Sequence, residues 1–246
     1  MFSSLLVEVS NQPTRGGILI KSAPVVDSIE NITKLRILKK NPATNEWFEL
    51  FQKDIDAVDD LELSLLDILT VAGTVYNYYI ELSYGDSVVE SEVFSDIKCD
   101  FNGLFIGDFE QQYIAGLNFK TENIKRNRSV EYVSTLYGRY PYRVSNADTD
   151  YYTGTSSGLF LELVYNNNGG KSFDPDMYHV YYSKVMDFLC NKQNKILKTH
   201  DGFAWYVSID SNPTEIYSDH WGMNAIQFSW TEIGELPTTG LVGVAS

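Results

Sequence analysis

The chain has 246 residues, with 33 acidic and 19 basic side chains for a net charge of −14, and 43% of its residues are hydrophobic. That apolar fraction is enough for one large or two ordinary cores and excludes wholesale disorder. The acidity argues against a nucleic-acid footprint, which needs a basic patch, and no apolar run approaches the roughly 20 residues of a membrane span. Seventeen Tyr, thirteen Phe and four Trp, set among Ser, Thr, Asn and Gly, predict a β-rich chain. The first residues, Met1-Phe2-Ser3-Ser4-Leu5-Leu6, lack a basic region, and Glu8 interrupts their apolar segment, so cytosolic maturation without a signal peptide is expected.

In chain order, residues 1–16 show little pattern and end in a turn-rich stretch, Asn11 to Gly17, which predicts an N-terminal arm. Residues 17–98 then read as short strands between turns: Ile18–Lys21, Leu35–Lys39 and Phe48–Gln52, the last two joined by Asn41-Pro42-Ala43-Thr44-Asn45 as a hairpin. Leu61, Leu63 and Leu65 alternate, and Ala72-Gly73-Thr74 leads into Val75–Leu82, where Tyr76, Tyr78, Ile80 and Leu82 share one strand face by period two. Gly85-Asp86 turns the chain into Val88–Phe94. The length and spacing suit a single seven-stranded, immunoglobulin-like β-sandwich.

Asp100-Phe101-Asn102-Gly103 marks the predicted domain boundary, and residues 100–235 form the second unit, followed by a tail over 236–246. Leu104–Ile106 reads as a strand, Glu110–Arg128 as a weakly patterned reaching loop, and Val130–Leu136 and Tyr137–Val144 as further strands, with Pro141 confining the latter to an edge or bulge. Tyr151–Leu163 reads as a glycine-rich approach to another strand, and Asn166–Gly170 as an exposed loop. The stretch Phe173–Ile233 is the best-marked folding unit. Asp174 as N-cap, Pro175 at the first helical position and Asp176 in the first turn open a helix of about 174–191. Tyr178, Tyr181, Tyr182, Val185, Phe188 and Leu189 line one of its faces, so that face is expected to be buried. Asp201-Gly202 between Ile196–Thr199 and Phe203–Ile209 predicts a hairpin. Tyr76, Phe188, Trp205, Phe228 and Trp230 are the expected structural core.

No motif here points to catalysis, a cofactor or a metal. His179, His200 and His220 are dispersed, and there is no zinc-protease, nucleophile-elbow or phosphate-loop spacing. Asn146, Asp148 and Asp150 imitate the start of a calcium loop, but Tyr151 stands where its glycine belongs and Ser157 where its bidentate Glu belongs, so an ordinary turn is expected. Asp108 and Glu110 read as a solvated turn rather than a glycosidase pair. Cys99 and Cys190, 91 positions apart, read as ordinary buried or half-buried thiols. Lys120, Lys125, Arg126 and Arg128, interrupted by Glu122, read as a solvated loop or partner contact. The Tyr cluster at 137, 140, 142, 151 and 152 opens an alternative, a carbohydrate-binding or host-recognition module on a β-sandwich, since tyrosines stack on sugars as readily as they pack in strands.

Two resemblances add to this reading. The order of features in Leu61–Phe94 resembles a fibronectin type III domain, in which Tyr76 would take the place of the corner tyrosine. Further on, Leu136-Tyr137-Gly138-Arg139-Tyr140-Pro141, Tyr151-Tyr152-Thr153-Gly154 with Gly158-Leu159-Phe160, Lys195–Thr199 before Asp201–Trp205, and Phe228–Gly234 resemble the ring-forming domain of phage distal tail proteins, baseplate hub components related in fold to tail tube proteins. The resemblance covers about residues 100–235. It implies a split β-barrel or sandwich with one flanking helix, assembled as a homo-oligomeric, hexameric ring that joins the tail tube to baseplate hub proteins. It also implies passage of DNA without specific binding, and a place in the virion tail after assembly in the host cytoplasm. The front domain departs from the simplest layout of that family, in which the ring domain comes first. Residues 100–246 carry 17 acidic and 11 basic residues, a sign that fits a bore past which phosphate slides.

Overall fold

Burial alternates along most of the strands, and where it does not, the strand is covered on both faces. The computed structural model describes residues 4–25, 31–85, 88–134, 136–144, 149–162, 164–165, 171–172, 174–216, 223–237 and 242–243. The chain is mainly β, with one α-helix among the described residues. The strands of its first part are β1 (Leu5–Gln12), β2 (Gly17–Pro24), β3 (Ile32–Lys40), β4 (Trp47–Asp54), β5 (Leu63–Asp67), β6 (Val75–Tyr84) and β7 (Val88–Lys98). They form two antiparallel sheets, β1-β2-β5 and β4-β3-β6-β7. In β6, Tyr76, Tyr78, Ile80 and Leu82 all face the core, as their period predicts, with Leu35, Ile37, Ile18 and Ile20 among their partners in the cluster.

The second part holds β8 (Leu104–Gly107), β9 (Gln112–Arg128), β10 (Glu131–Val133), β11 (Tyr142–Val144), β12 (Asp150–Phe160), β13 (Val164–Tyr165), β14 (Lys171–Ser172), α1 (Tyr178–Cys190), β15 (Lys195–Thr199), β16 (Ala204–Ile209), β17 (Thr214–Ile216), β18 (Ala225–Gly234) and β19 (Val242–Gly243). Six strands close on themselves in the order β12-β9-β8-β15-β16-β18, because β18 pairs back onto β12 from Gly158↔Ile226 to Thr153↔Thr231. Closure removes the sheet edges that an open six-stranded sheet would leave. The curvature has a local cause. Asn118 and Asn123 take positive φ (48° and 55°), and at each the β9–β12 register slips so that two β9 residues oppose one glycine, Gly158 or Gly154. At Gly154 a Cβ would stand 2.6 Å from the Trp230 ring, so only glycine lets the indole lie flat on the strand.

Leu104, Ile106, Phe160, Leu197, Trp205, Val207, Ile226, Phe228 and Trp230 fill the barrel core, and α1 adds Val185, Phe188 and Leu189. Tyr113 joins the helix to the strands, its ring 4.9 Å from Phe188 and 5.5 Å from Tyr181. The α-helix starts later than the expected 174 and is not capped by Asp174: its N-cap is Met177, with no side-chain cap. A 3-10 turn over Pro175–Met177 precedes it, at whose start the Asp174 carboxylate accepts from the Asp176 N–H. The predicted hairpin forms at Asp201-Gly202, with Gly202 at φ +92°.

β8 and β15 contribute side chains to the cores of both parts. Leu104, Ile106 and Leu197 face the barrel, whereas Phe105 and Ile196 join the sandwich cluster along with Phe101. All four residues of β8 and all five of β15 are therefore buried, as befits strands covered on both faces. The boundary at Asp100 is a continuous contact rather than a linker: Asn11 Nδ2 donates to Asp100 O at 2.8 Å, and Asp100 N donates back to Asn11 Oδ1 at 3.0 Å.

Three expectations are corrected. The predicted arm over 1–16 is, from Leu5 to Gln12, a strand paired with β2 over eight residues; the polar Ser10-Asn11-Gln12 masked the Leu5-Val7-Val9 alternation. The predicted tail over 236–246 returns to the sandwich, where Leu236 packs on its core and Val242–Gly243 pairs with Leu66–Leu65. The reaching loop over Glu110–Arg128 is the long strand β9, in which the two Asn bulges break the period-two pattern. Phe173 and the Asn166–Gly170 loop lie outside the described residues. Replacing Phe188 with Ala is expected to lower unfolding stability by about 3–5 kcal/mol, read from denaturant titration, because the ring is 2% exposed between Tyr113 and the barrel core.

Candidate functional site

Beyond the point where β18 leaves it at Thr153, β12 continues with β9 alone, Asp150 pairing with Arg128. Two strands without a covering layer make an arm, and β9 is exposed from Glu122 through Arg126. β10 and β11 extend it as a short ladder from Glu131↔Val144 to Val133↔Tyr142. The segment is apolar yet bare: Tyr132, Leu136, Tyr137, Tyr140 and Tyr142 are all exposed, Tyr137 at 96% and Leu136 at 89%. These side chains belong to neither core cluster.

The charges of the predicted basic stretch sit on this arm as strand residues, not as a loop. Arg126 makes a two-pronged contact with Asp150, Nε and Nη2 each 2.6 Å from a carboxylate oxygen, and Arg128 Nε adds a third at 3.3 Å. Hydrogen bonding from Arg126 holds the Asp150 carboxyl below its usual range, and Asp150 in turn raises Arg126. Lys120 pairs with Glu122 at 2.9 Å. Asp150 thus serves as an arginine clamp; Asn146 and Asp148, the other members of the calcium-like turn, lie outside the described residues.

The remaining residues weighed in the sequence are placed structurally. Asp108 accepts from the N–H groups of Glu110 and Gln111 and from Lys195 Nζ at 3.0 Å. Burial works against its charge, but those donors hold the carboxyl below the normal range. Lys195 is itself buried, bonding Asn191 Oδ1 at 2.7 Å and lying 4.1 Å from the Phe188 ring, so it ties the end of α1 to β15. Glu110 is exposed. His200 packs edge-on to Phe119, His179 is exposed, and His220 lies outside the described residues. Cys99 is buried; Cys190 is exposed on the side of α1 away from Val185, Phe188 and Leu189, in place of the covered thiol expected. Among the described residues, no group of three or more His, Cys, Asp or Glu is arranged to hold a metal, and no helix is long and apolar enough to cross a membrane. Tyr76, Phe188, Trp205, Phe228 and Trp230 are each at most 5% exposed. The Tyr76 hydroxyl accepts from Val71 N–H at 2.9 Å, and Trp230 Nε1 donates to Ser156 Oγ at 3.0 Å.

The junction contains polar groups that the sequence did not announce. Lys198 is buried at the sandwich–barrel contact and directs its ammonium to three carbonyls, those of Gly16, Ile68 at 2.7 Å and Thr70 at 2.9 Å, which uses all three of its donors. The Phe105 ring centre lies 4.4 Å away. Nearby in the sandwich, Asp67 receives Lys39 Nζ at 2.7 Å, the Tyr78 hydroxyl at 2.8 Å and Leu69 N–H at 2.9 Å. Lysine is rarely buried, so composition and pattern gave no warning of Lys195 or Lys198; the only hint is their place in a strand flanked by apolar residues.

No protein-family model, curated protein sequence or solved structure matches this chain.

Burial pushes Lys198 down to about 8. Between pH 8 and the ordinary lysine range the unfolded chain therefore binds a proton that the folded chain has released, and stability rises with pH. Above pH 10 the opposite contribution from buried tyrosines enters, since burial pushes Tyr76 up to about 12. From pH 8 to 10, wild type is expected to gain roughly 2 kcal/mol relative to Lys198→Met, measured by denaturant unfolding of both proteins across that window.

Proposed function

We propose that this chain is a structural, ring-forming component of a phage tail tip or baseplate, in which copies of the chain, six in number, join the tail tube to the hub around a bore that lets DNA pass. The single observation that carries the reading is the uncovered arm of β9, β10, β11 and β12, with aromatic side chains as exposed as Tyr137. A surface of that kind is costly to leave in water and is suited to a neighbouring subunit. The closed six-stranded barrel with one flanking helix supports the tail-tube-like assignment of residues 100–235. The facing sheets β1-β2-β5 and β4-β3-β6-β7, with Tyr76 bonded back to Val71, support the fibronectin type III assignment of the part before it. The reading is of an assembly scaffold placed in the virion tail, with no catalytic step.

Electron microscopy of the purified protein and of whole particles is the test, with a six-fold ring at the end of a tube as the expected result. A chain that stays monomeric and binds glycans, with binding lost on replacing Tyr137 and Tyr140 by Ala, would replace this reading with the carbohydrate-binding one.

A further inference from the structure

We infer that the arm of one copy docks, tip first, into the groove on the outer face of the β1-β2-β5 sheet of a second copy. The inference rests on the assembly reading above and specifies the two surfaces that meet. One surface is cationic and aromatic. Residues 126–152, beyond the Thr153–Lys125 pair, hold four basic and three acidic side chains, whereas the rest of the chain holds 15 basic and 30 acidic. At the tip, the Arg139 guanidinium lies 5.6 Å from the Tyr140 ring, and neither Arg139 nor Arg143 has an ion-pair partner among the described residues. Tyr137 and Leu136 are too exposed to be covered by their own chain.

The other surface is acidic with an apolar floor. The groove, of about 520 Å3, is lined by Leu6, Ala23 and Leu63, with Glu8, Asp59 and Glu62 around them. Leu6 is 59% exposed, an apolar side chain standing in water beside carboxylates. None of the three carboxylates has an ion-pair partner among the described residues; Lys21, opposite Glu8 in the β1–β2 register, leaves the groove net negative. Bare aromatics flanked by unpartnered guanidiniums thus match a bare leucine flanked by unpartnered carboxylates in both terms of recognition, apolar contact and charge. Each copy offers one arm and one groove, so contacts made head to tail propagate around a ring, whereas reciprocal exchange of two arms would close a twofold dimer and give no ladder in the test below.

The test is disulfide trapping in a Cys190→Ser background, with Cys99 left buried. Mixing Leu6→Cys chains with Tyr137→Cys chains under oxidation is expected to give a mixed dimer that neither variant gives alone, and the double-cysteine chain should give a ladder of covalent multimers. Charge reversal is the second arm of the experiment. Arg139→Glu with Arg143→Glu should lower the assembled fraction about tenfold, and adding Glu8→Lys with Glu62→Lys in the same chain should restore it. All these side chains are on the surface, and unchanged circular dichroism and melting temperature check that the variants fold. Rings that form in wild type without the mixed disulfide, and that survive the charge reversal, would overturn the docking while leaving the ring reading intact. A wild-type chain that is monomeric at every concentration would overturn both.

Discussion

An ammonium group that leaves water recovers its hydration only if each of its hydrogens meets an acceptor, and Lys198 meets three, the carbonyls of Gly16, Ile68 and Thr70. Those carbonyls belong to the turn before β2 and to the connection between β5 and β6, while Lys198 belongs to β15. The contact is therefore satisfied only when sandwich and barrel hold one relative position. The rings of Phe105 and Phe101 beside the ammonium, and the Phe105 ring lying against Gly16, extend that requirement into the packing. A buried charge of this kind is weak evidence for stability, but breaking it would strand a desolvated cation, which makes misplacement expensive.

The same junction explains the two-faced strands. β8 and β15 send alternate side chains into the sandwich and barrel cores, so neither part buries its apolar surface fully without the other. Holding this wall fixed frees the opposite side of the barrel for elaboration. There β9 and β12 run on past the closed ring of strands, bent at the bulges facing Gly154 and Gly158, and they become the arm. The rigid polar contact and the projecting aromatic surface are thus at different places in one continuous sheet system, one fixing the scaffold and the other presenting a surface.

The proposed assembly role rests on surfaces rather than on a reaction centre. Asp108, Asp150 and Lys195, which are the groups with the most chemical promise by type, are each engaged by hydrogen bonds that hold the fold together. Among the described residues, Arg139 and Arg143 on the arm and Glu8, Asp59 and Glu62 on the β1-β2-β5 face have no ion-pair partner, and Tyr137 and Leu6 stand exposed beside them. Assembly with other copies is the reading that uses those features.

Much of the scaffold was legible in the sequence because its causes are local. The period-two face of Tyr76, Tyr78, Ile80 and Leu82, the helix carrying Phe188 and the Asp201-Gly202 hairpin depend on residues within a few positions of one another, and each is found where its pattern places it. β1 was missed because the polar Ser10-Asn11-Gln12 hid its Leu5-Val7-Val9 alternation, and β19 because a two-residue strand owes its order to the sheet it joins. The arm was noticed as a basic stretch and a Tyr cluster, but its shape depends on β9 and β12 pairing 22 or more positions apart in the chain. The sequence by itself determined the β-rich class, the helix and the cores. Only the tertiary structure decided that Lys198 is a buried fastener and that Tyr137, Tyr140 and Tyr142 stand uncovered while Tyr151 and Tyr152 are half-buried, because solvation of a charge or a ring is set by what folds around it and not by its neighbours along the chain.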